Sequence, residues 1–210
     1  MDKSHTHTHT MTPKAVIFDL GSVLVDYDHE GTWTAVAAVS QASFSELDRL
    51  ASHLAEDAGK GIVNGRQLHQ TLVQQAGTTP DYDEFSRAFC RHIYRNEAAL
   101  AYAAGLAQRP NLRLGIISNT NAVHVDWLHL LIPEFARFQS VILSSDVGLL
   151  KPDPAIYHLA LQQLETPPEA ALFVDDIAEN VRGATAVGLH AIHHHDWNQT
   201  RPAIESWLSA

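Results

Sequence analysis

The feature that most constrains this chain is a short apolar strand that ends on a carboxylate. Ala15-Val16-Ile17-Phe18 contains no polar residue, and Asp19 follows it directly, ahead of Leu20-Gly21-Ser22-Val23-Leu24. The layout recurs along the chain. Leu114-Gly115-Ile116-Ile117 runs into Ser118-Asn119, Lys151-Pro152-Asp153-Pro154 forms a turn, and Ala171-Leu172-Phe173-Val174 runs into Asp175-Asp176. Helical patterns lie between these strands, and strands alternating with helices predict an α/β fold. The expected core is a doubly wound parallel sheet, Rossmann-like, with helices on both faces. In open sheets of this kind chemistry is done beyond the carboxyl ends of the strands. Each of these polar groups is expected at such an end.

Two textures divide the chain. Residues 13–25 and 110–195 carry apolar strands separated by helical patterns, whereas 29–108 carries helical patterns only. The expected organisation is a core of residues 13–28 and 109–210 with a small helical domain, 29–108, inserted after the first strand. Within the insert, Ser43-Phe44-Ser45-Glu46 reads as a capping box, Asn64 to Gln67 opens a second helix that Gly77 stops, and Asp81 to Glu84 opens a third. In the second half, strands are expected at 112–118, 140–143, 171–174 and 189–193. Helices are expected at 121–131, 153–164, 177–187 and near 200–209. Residues 1–12 hold His5, His7 and His9 alternating with threonine, and are read as a leader or tag outside the fold. His193-His194-His195 is read as an exposed turn after the last strand.

The 210 residues carry a formal net charge of −10. A nucleic-acid backbone would be repelled by that charge, and an anionic substrate needs a local positive centre. No apolar run reaches the length of a membrane span, and no signal peptide opens the chain. The single cysteine, Cys90, excludes an internal disulfide and fits a reducing compartment. The expected location is cytoplasmic, with neither nucleic acid nor membrane as partner; the oligomeric state is not legible.

Asp19 alone has several readings: nucleophile, metal ligand or helix cap. The Asp175-Asp176 pair at a second strand end narrows them. Three carboxylates near one sheet edge repel unless a cation sits among them. Hard oxygen donors of this kind suit Mg²⁺, which is often completed by substrate phosphate. A carboxylate that attacks phosphorus forms an aspartyl-phosphate. Ser118 and Asn119, just before a helix, offer a hydroxyl and backbone N–H groups to a phosphoryl oxygen. Lys151 supplies a positive charge for both nucleophile and phosphoryl group. Asn180, four residues after Asp176, faces the same way one helical turn on and is expected to orient Lys151 or a metal-bound water.

These four segments, in this order, resemble the motifs of the haloacid dehalogenase-like hydrolase superfamily, most of whose members are phosphatases. The resemblance covers essentially residues 13–209. It rests on Asp19-Leu-Gly-Ser-Val-Leu, Ser118-Asn119, Lys151-Pro152-Asp153 and Asp175-Asp176-Ile-Ala-Glu-Asn180. It makes the helical insert the small cap of that family. It implies an Mg²⁺-dependent phosphatase acting on a small phosphorylated metabolite. Asp19 is then the nucleophile, and Asp19, the Gly21 carbonyl and Asp176 hold the metal, with Asp175 as a further ligand or as their partner. Ser118, Asn119 and Lys151 hold the phosphoryl oxygens. The Ser118-Asn-Thr-Asn and Lys151-Pro-Asp-Pro-Ala-Ile-Tyr runs look most like the branch containing bacterial α-D-glucose-1-phosphate phosphatase. The family's usual second aspartate, its general acid and base, is replaced here by Gly21. That loss matters least for leaving groups of low pKa, such as an anomeric or acyl oxygen. Asp26, Asp28 and His29 lie downstream as possible substitutes. Two other readings share the fold: a haloacid dehalogenase, which needs neither Mg²⁺ nor the carboxylate pair with Asn180, and a non-catalytic phospho-ligand-binding protein. Lys60, in the Gly59-Lys60-Gly61 loop, is a candidate substrate contact from the cap.

Overall fold

The computed structural model describes residues 13–75, 77 and 80–210; the expected leader lies outside the described residues. Five parallel strands form the central sheet: β1 (Lys14–Phe18), β4 (Leu112–Ser118), β5 (Ser140–Leu143), β6 (Ala171–Asp175) and β7 (His190–His193). Their order across the sheet is β5-β4-β1-β6-β7, so the chain winds one way from β1 to β4 and β5, then back past β1 to β6 and β7. The doubly wound parallel core expected from the sequence is present.

Both faces of the sheet are apolar, which is why its strands read as unbroken hydrophobic runs. Alternate side chains go to opposite faces. Val16 and Phe18 join Leu114, Ile116, Leu172 and Val174 under α5 (Glu97–Leu106), α6 (Ala122–Leu131) and α10 (Trp197–Ser209). Ala15 and Ile17 join Ile117, Ile142 and Phe173 under α8 (Pro154–Gln163) and α9 (Ala178–Val187). Asp153 caps α8, accepting from the Ala155 N–H at 2.9 Å, with Pro154 as the first helical residue. Among the described residues no helix is long and apolar enough to cross a membrane.

The inserted lobe is built from α1 (His29–Ser40), α2 (Phe44–Gly59), α3 (Gly65–Gln75) and α4 (Tyr82–Cys90). Its starts follow the sequence signals. Ser43 Oγ accepts from the Glu46 N–H at 3.3 Å and Asp81 Oδ1 from the Glu84 N–H at 2.7 Å. Asn64 and Gln67 exchange side-chain to backbone bonds of 2.9 and 3.0 Å. Trp33, Val36, Leu47, Leu72, Phe85 and Phe89 fill its centre, and Val123 of α6 enters the same cluster from the core side.

Three details differ from the sequence reading. The segment 29–108 is not helical throughout: β3 (Ile93–Arg95) pairs antiparallel with β2 (Val25–Tyr27), and this two-stranded ribbon forms the neck of the lobe. Three-residue strands are too short to show a period. The helix α5 falls inside the expected insert, yet its Ala99, Leu100, Ala103 and Leu106 belong to the sheet cluster. An alanine-rich helix carries no mark of which core it serves. The third detail is at the last helix, which starts at Trp197, capped by Asp196. His194 before it is buried, and its Nδ1 lies 2.8 Å from Thr200 Oγ1. His193 and His195 are exposed, so only His194 departs from the expected exposed turn.

Lobe and core also meet where α2 ends. Gly61 adopts a positive φ of 68°, and a Cβ there would stand 2.1 Å from the Ser145 carbonyl oxygen. Both the backbone conformation and the close approach require glycine. Lys60 beside it pairs with Glu56 at 2.5 Å and does not line the cavity described below. Gly61→Ala is expected to lower stability by about 1–3 kcal/mol. Urea unfolding would register it as a lower midpoint, and an unchanged midpoint would mean that this junction is not tight.

Candidate active site

Strand register decides what meets at the sheet edge. Phe18 lies between Ile116 of β4 and Val174 of β6, so the next residues along, Asp19, Ile117 and Asp175, are level. Ser118 stands one step further, at the end of β4. This is the point where the winding direction reverses, and a crevice opens there because the flanking helices diverge to opposite faces.

Lys151 is the centre of the arrangement. Its Nζ lies 2.7 Å from Asp19 Oδ1 and 2.6 Å from Asp175 Oδ2. The lysine is 5 % exposed, Asp19 6 % and Asp175 0 %. Its backbone is held by Asn119, whose Nδ2 donates to the Lys151 carbonyl at 2.9 Å while its Oδ1 accepts the Lys151 N–H at 2.8 Å. The Asn119 amide therefore places the lysine with one of its two N–H donors, while the residue itself still lines the cavity. Asp175 is saturated. It accepts from the Ile177 N–H at 2.7 Å, from Lys151, and from Asn180 Nδ2 at 3.1 Å on each oxygen. Asn180 thus orients Asp175 rather than Lys151.

Asp176, by contrast, lines the open cavity with its side chain only half-buried. Carboxylate oxygens of Asp19, Asp175 and Asp176 all lie within 4.8 Å of one another. Burial raises the Asp19 carboxyl to about 6, against the pull of Lys151 and with Asp175 pushing the same way as burial. Three carboxylates against one ammonium leave net negative charge in a site of low solvation. A divalent cation among hard oxygen donors answers that imbalance.

The cavity has a volume of about 390 Å³. Its floor is Asp19, Gly21, Ser118, Asn119 and Lys151, so the sequence-selected residues other than the enclosed Asp175 converge on one space; Asp176 and Asn180 line its wall. Asp26, Asp28 and His29, the candidate substitutes for the missing acid, do not line it. Several supporting groups escaped the sequence reading. Tyr157, fully buried, donates its hydroxyl to the Asn180 carbonyl at 2.8 Å. His193 Nε2 bonds the Asp176 carbonyl at 2.9 Å, and Ser144 Oγ accepts the Thr120 N–H at 2.9 Å and donates to the Thr120 carbonyl at 3.0 Å. These partners come from other elements, at spacings that no local pattern marks.

Residues 13–188 match the haloacid dehalogenase-like hydrolase family. The chain belongs to that family. It is 26% identical over 219 residues to "Phosphatase MT3486" of Mycobacterium tuberculosis, covering 95% of each protein. It is also 27% identical over 199 residues to mouse "Acyl-CoA dehydrogenase family member 10", covering 89% of this chain but only 18% of that much longer protein. The fold resembles that of the HAD family enzyme bt-2542 of Bacteroides thetaiotaomicron, solved with magnesium and inorganic phosphate. The TM-score is 0.79 with 20% identity, covering 90% of this chain and 98% of that one. As a member of the family the chain is a hydrolase, on the Rossmann-like core that the resemblance implied.

His124, in the first turn of α6, stacks on Phe89 of the cap at 4.6 Å and borders the same cavity. Its Nε2 is buried without a partner, and burial lowers the ring to about 4, so it is neutral at pH 7. The folded value lies below the unfolded 6.5, so its contribution is fully present above pH 6.5 and is lost as pH falls toward 4. Asp19, raised to about 6, has the opposite sign over part of that window, because its burial destabilises only the charged form. A comparison with His124→Gln separates the two. The parent is expected to lose more stability than the variant between pH 6.5 and 4 in urea unfolding; equal losses would count against a buried neutral ring.

Proposed function

We propose that the protein is an Mg²⁺-dependent phosphatase that hydrolyses a small phosphorylated metabolite through an aspartyl-phosphate. The observation that carries the reading is the buried Asp19–Lys151–Asp175 cluster with Asp176 open to the cavity beside it. The phosphatase named among the full-length relatives and the magnesium and phosphate bound by the bt-2542 enzyme support it.

The donor set fits Mg²⁺. Asp19, the Gly21 carbonyl and Asp176 would hold it, with Asp175 too fully hydrogen-bonded for direct ligation and acting instead to hold Lys151 and the turn at Ile177. When bound, the ion supplies Lewis acidity that withdraws charge from the phosphoryl oxygens. Ser118 and the Asn119 backbone N–H would face those oxygens, the Thr120 N–H being taken by Ser144, and Lys151 offsets the charge of both nucleophile and phosphoryl group. Asp19 attacks phosphorus in line, the P–O bond to the leaving group breaks, and water then hydrolyses the aspartyl-phosphate to release phosphate and restore Asp19. A dehalogenase would have no use for the Asp176 carboxylate at this cavity, which is why that alternative is set aside.

Asp19→Asn is expected to reduce phosphate release from acetyl phosphate by roughly a thousandfold or more. Stability at pH 7 should not fall, because the carboxylate removed is one whose charge burial disfavours. The parent activity should vanish in EDTA and return with Mg²⁺. Release that is indifferent to EDTA, or undiminished in the Asn variant, would sink the mechanism.

Gly21 removes the family's usual proton donor, and general-acid help is worth roughly 10²–10⁴-fold. A Cβ at Gly21 would meet no atom within 4 Å, so the backbone there has room for the first atom of a side chain. Gly21→Asp is therefore expected to raise kcat for alkyl phosphates relative to acetyl phosphate, whose leaving group needs no proton. A ratio that does not rise would show that protonation of the leaving group is supplied from elsewhere.

A further inference from the structure

The wall of the cavity away from Lys151 is made by one face of the neck ribbon. Val25 and Tyr27 are two apart on β2, and Ile93 pairs with Tyr27, so all three share a side. Each lines the cavity, and Leu20 and Leu128 of α6 complete that wall. Ile177 at the rim is 52% exposed, an apolar side chain left in water at the mouth of the site.

The charges near this wall are already paired or absent. Among the described residues Lys151 is the single cation lining the cavity, and both its partners are carboxylates. Arg95, at the end of the ribbon, is clamped by Glu97 at 2.6 Å, by Glu134 at 2.7 Å and by the Leu131 carbonyl at 2.7 Å. The His124 ring is neutral at pH 7. Asn121 caps α6 by accepting from the Val123 and His124 N–H groups, which leaves Ser22, between Leu20 and Val25, as the polar side chain beside this wall. The second cavity, which shares Asn119, Thr120 and Asn121, carries Asp48 and Glu56, paired with His29 and Lys60, and no lysine or arginine is among its described lining residues. A polyol would lose hydration here with few groups to replace it, and a second phosphate would meet no free cation.

We infer that the leaving group is an uncharged, largely apolar or aromatic alcohol, held by Tyr27, Ile93 and Leu128, and not a polyhydroxylated sugar or a diphosphate. The inference rests on the phosphatase reading and narrows its substrate class. It also moves away from the sugar phosphate that the branch resemblance implies. Tyr27 sets the specificity: it is the most exposed member of the wall, and its ring lies edge-on to His124 at 5.8 Å, leaving an aromatic surface for the leaving group.

The test uses acetyl phosphate hydrolysis with Mg²⁺ as the readout, and competing phosphate esters as probes, so that slow turnover of an ester does not matter. Benzyl phosphate is expected to inhibit with a Ki at least about tenfold below those of glycerol 3-phosphate and a hexose 6-phosphate. In Tyr27→Ala that ratio should shrink by about tenfold, and in Tyr27→Phe it should persist. Polyol phosphates that bind as well as benzyl phosphate, or a ratio unmoved in Tyr27→Ala, would overturn the inference while leaving the phosphatase reading intact. Failure to hydrolyse acetyl phosphate at all would overturn the reading itself, and the inference with it.

Discussion

The structure depends on one buried ammonium. Lys151 sits between Asp19 and Asp175 with almost no access to water. Removing such charges from solvent is costly, and the cost is offset only when geometry and hydrogen bonds are near ideal. The surrounding architecture supplies that geometry. Asn119 grips the lysine backbone from both sides, Asn180 grips Asp175, and Tyr157 anchors the Asn180 carbonyl. Four strand and loop segments are thereby tied to one charge. The charges still do not balance, since Asp176 adds a third carboxylate within reach. That excess of negative charge is the basis of the proposed cation at this site.

Sheet order explains why so few residues suffice. Placing β1 between β4 and β6 brings distant residues into register, Phe18 with both Ile116 and Val174. The same reversal opens the crevice that these residues line. The cap is not a loosely tethered lid at this junction. Val123 enters its core, His124 stacks on Phe89, and the Cys90 thiol donates to the Val123 carbonyl at 3.5 Å. The Cys90 thiol is raised to about 12 by burial, so it is an inert packing group and not a nucleophile.

The cavity separates two tasks. The sheet edge handles charge, with Asp19, Lys151 and Asp175 fixed to one another and the Asp176 carboxylate left toward the cavity. The neck ribbon and α6 handle shape, through apolar and aromatic surface. On the proposed reading the first would match the phosphoryl group common to many substrates, and the second would discriminate between alcohols. Variation in three or four side chains of the neck would change the substrate without disturbing the ionic centre.

The sequence by itself determined the elements and the reacting groups. Unbroken apolar strands require burial on both faces, and helices between them require parallel pairing, so the core was legible from Ala15-Val16-Ile17 and its repeats. Carboxylates at strand ends have no structural use that would keep three of them together, so Asp19, Asp175 and Asp176 stood out as chemistry. Tertiary structure alone decided how labour is divided among them. It gave Asn119 the further task of anchoring Lys151, and it closed Asp175 inside a full set of hydrogen bonds while leaving Asp176 open. It gave α5 to the sheet, buried His194, and brought Val25, Tyr27 and Ile93 to one wall. The reason is physical: hydrophobic period and capping signals act over a few residues, whereas a hydrogen-bond partner or a cavity wall is set by whichever distant segments the packed core brings together.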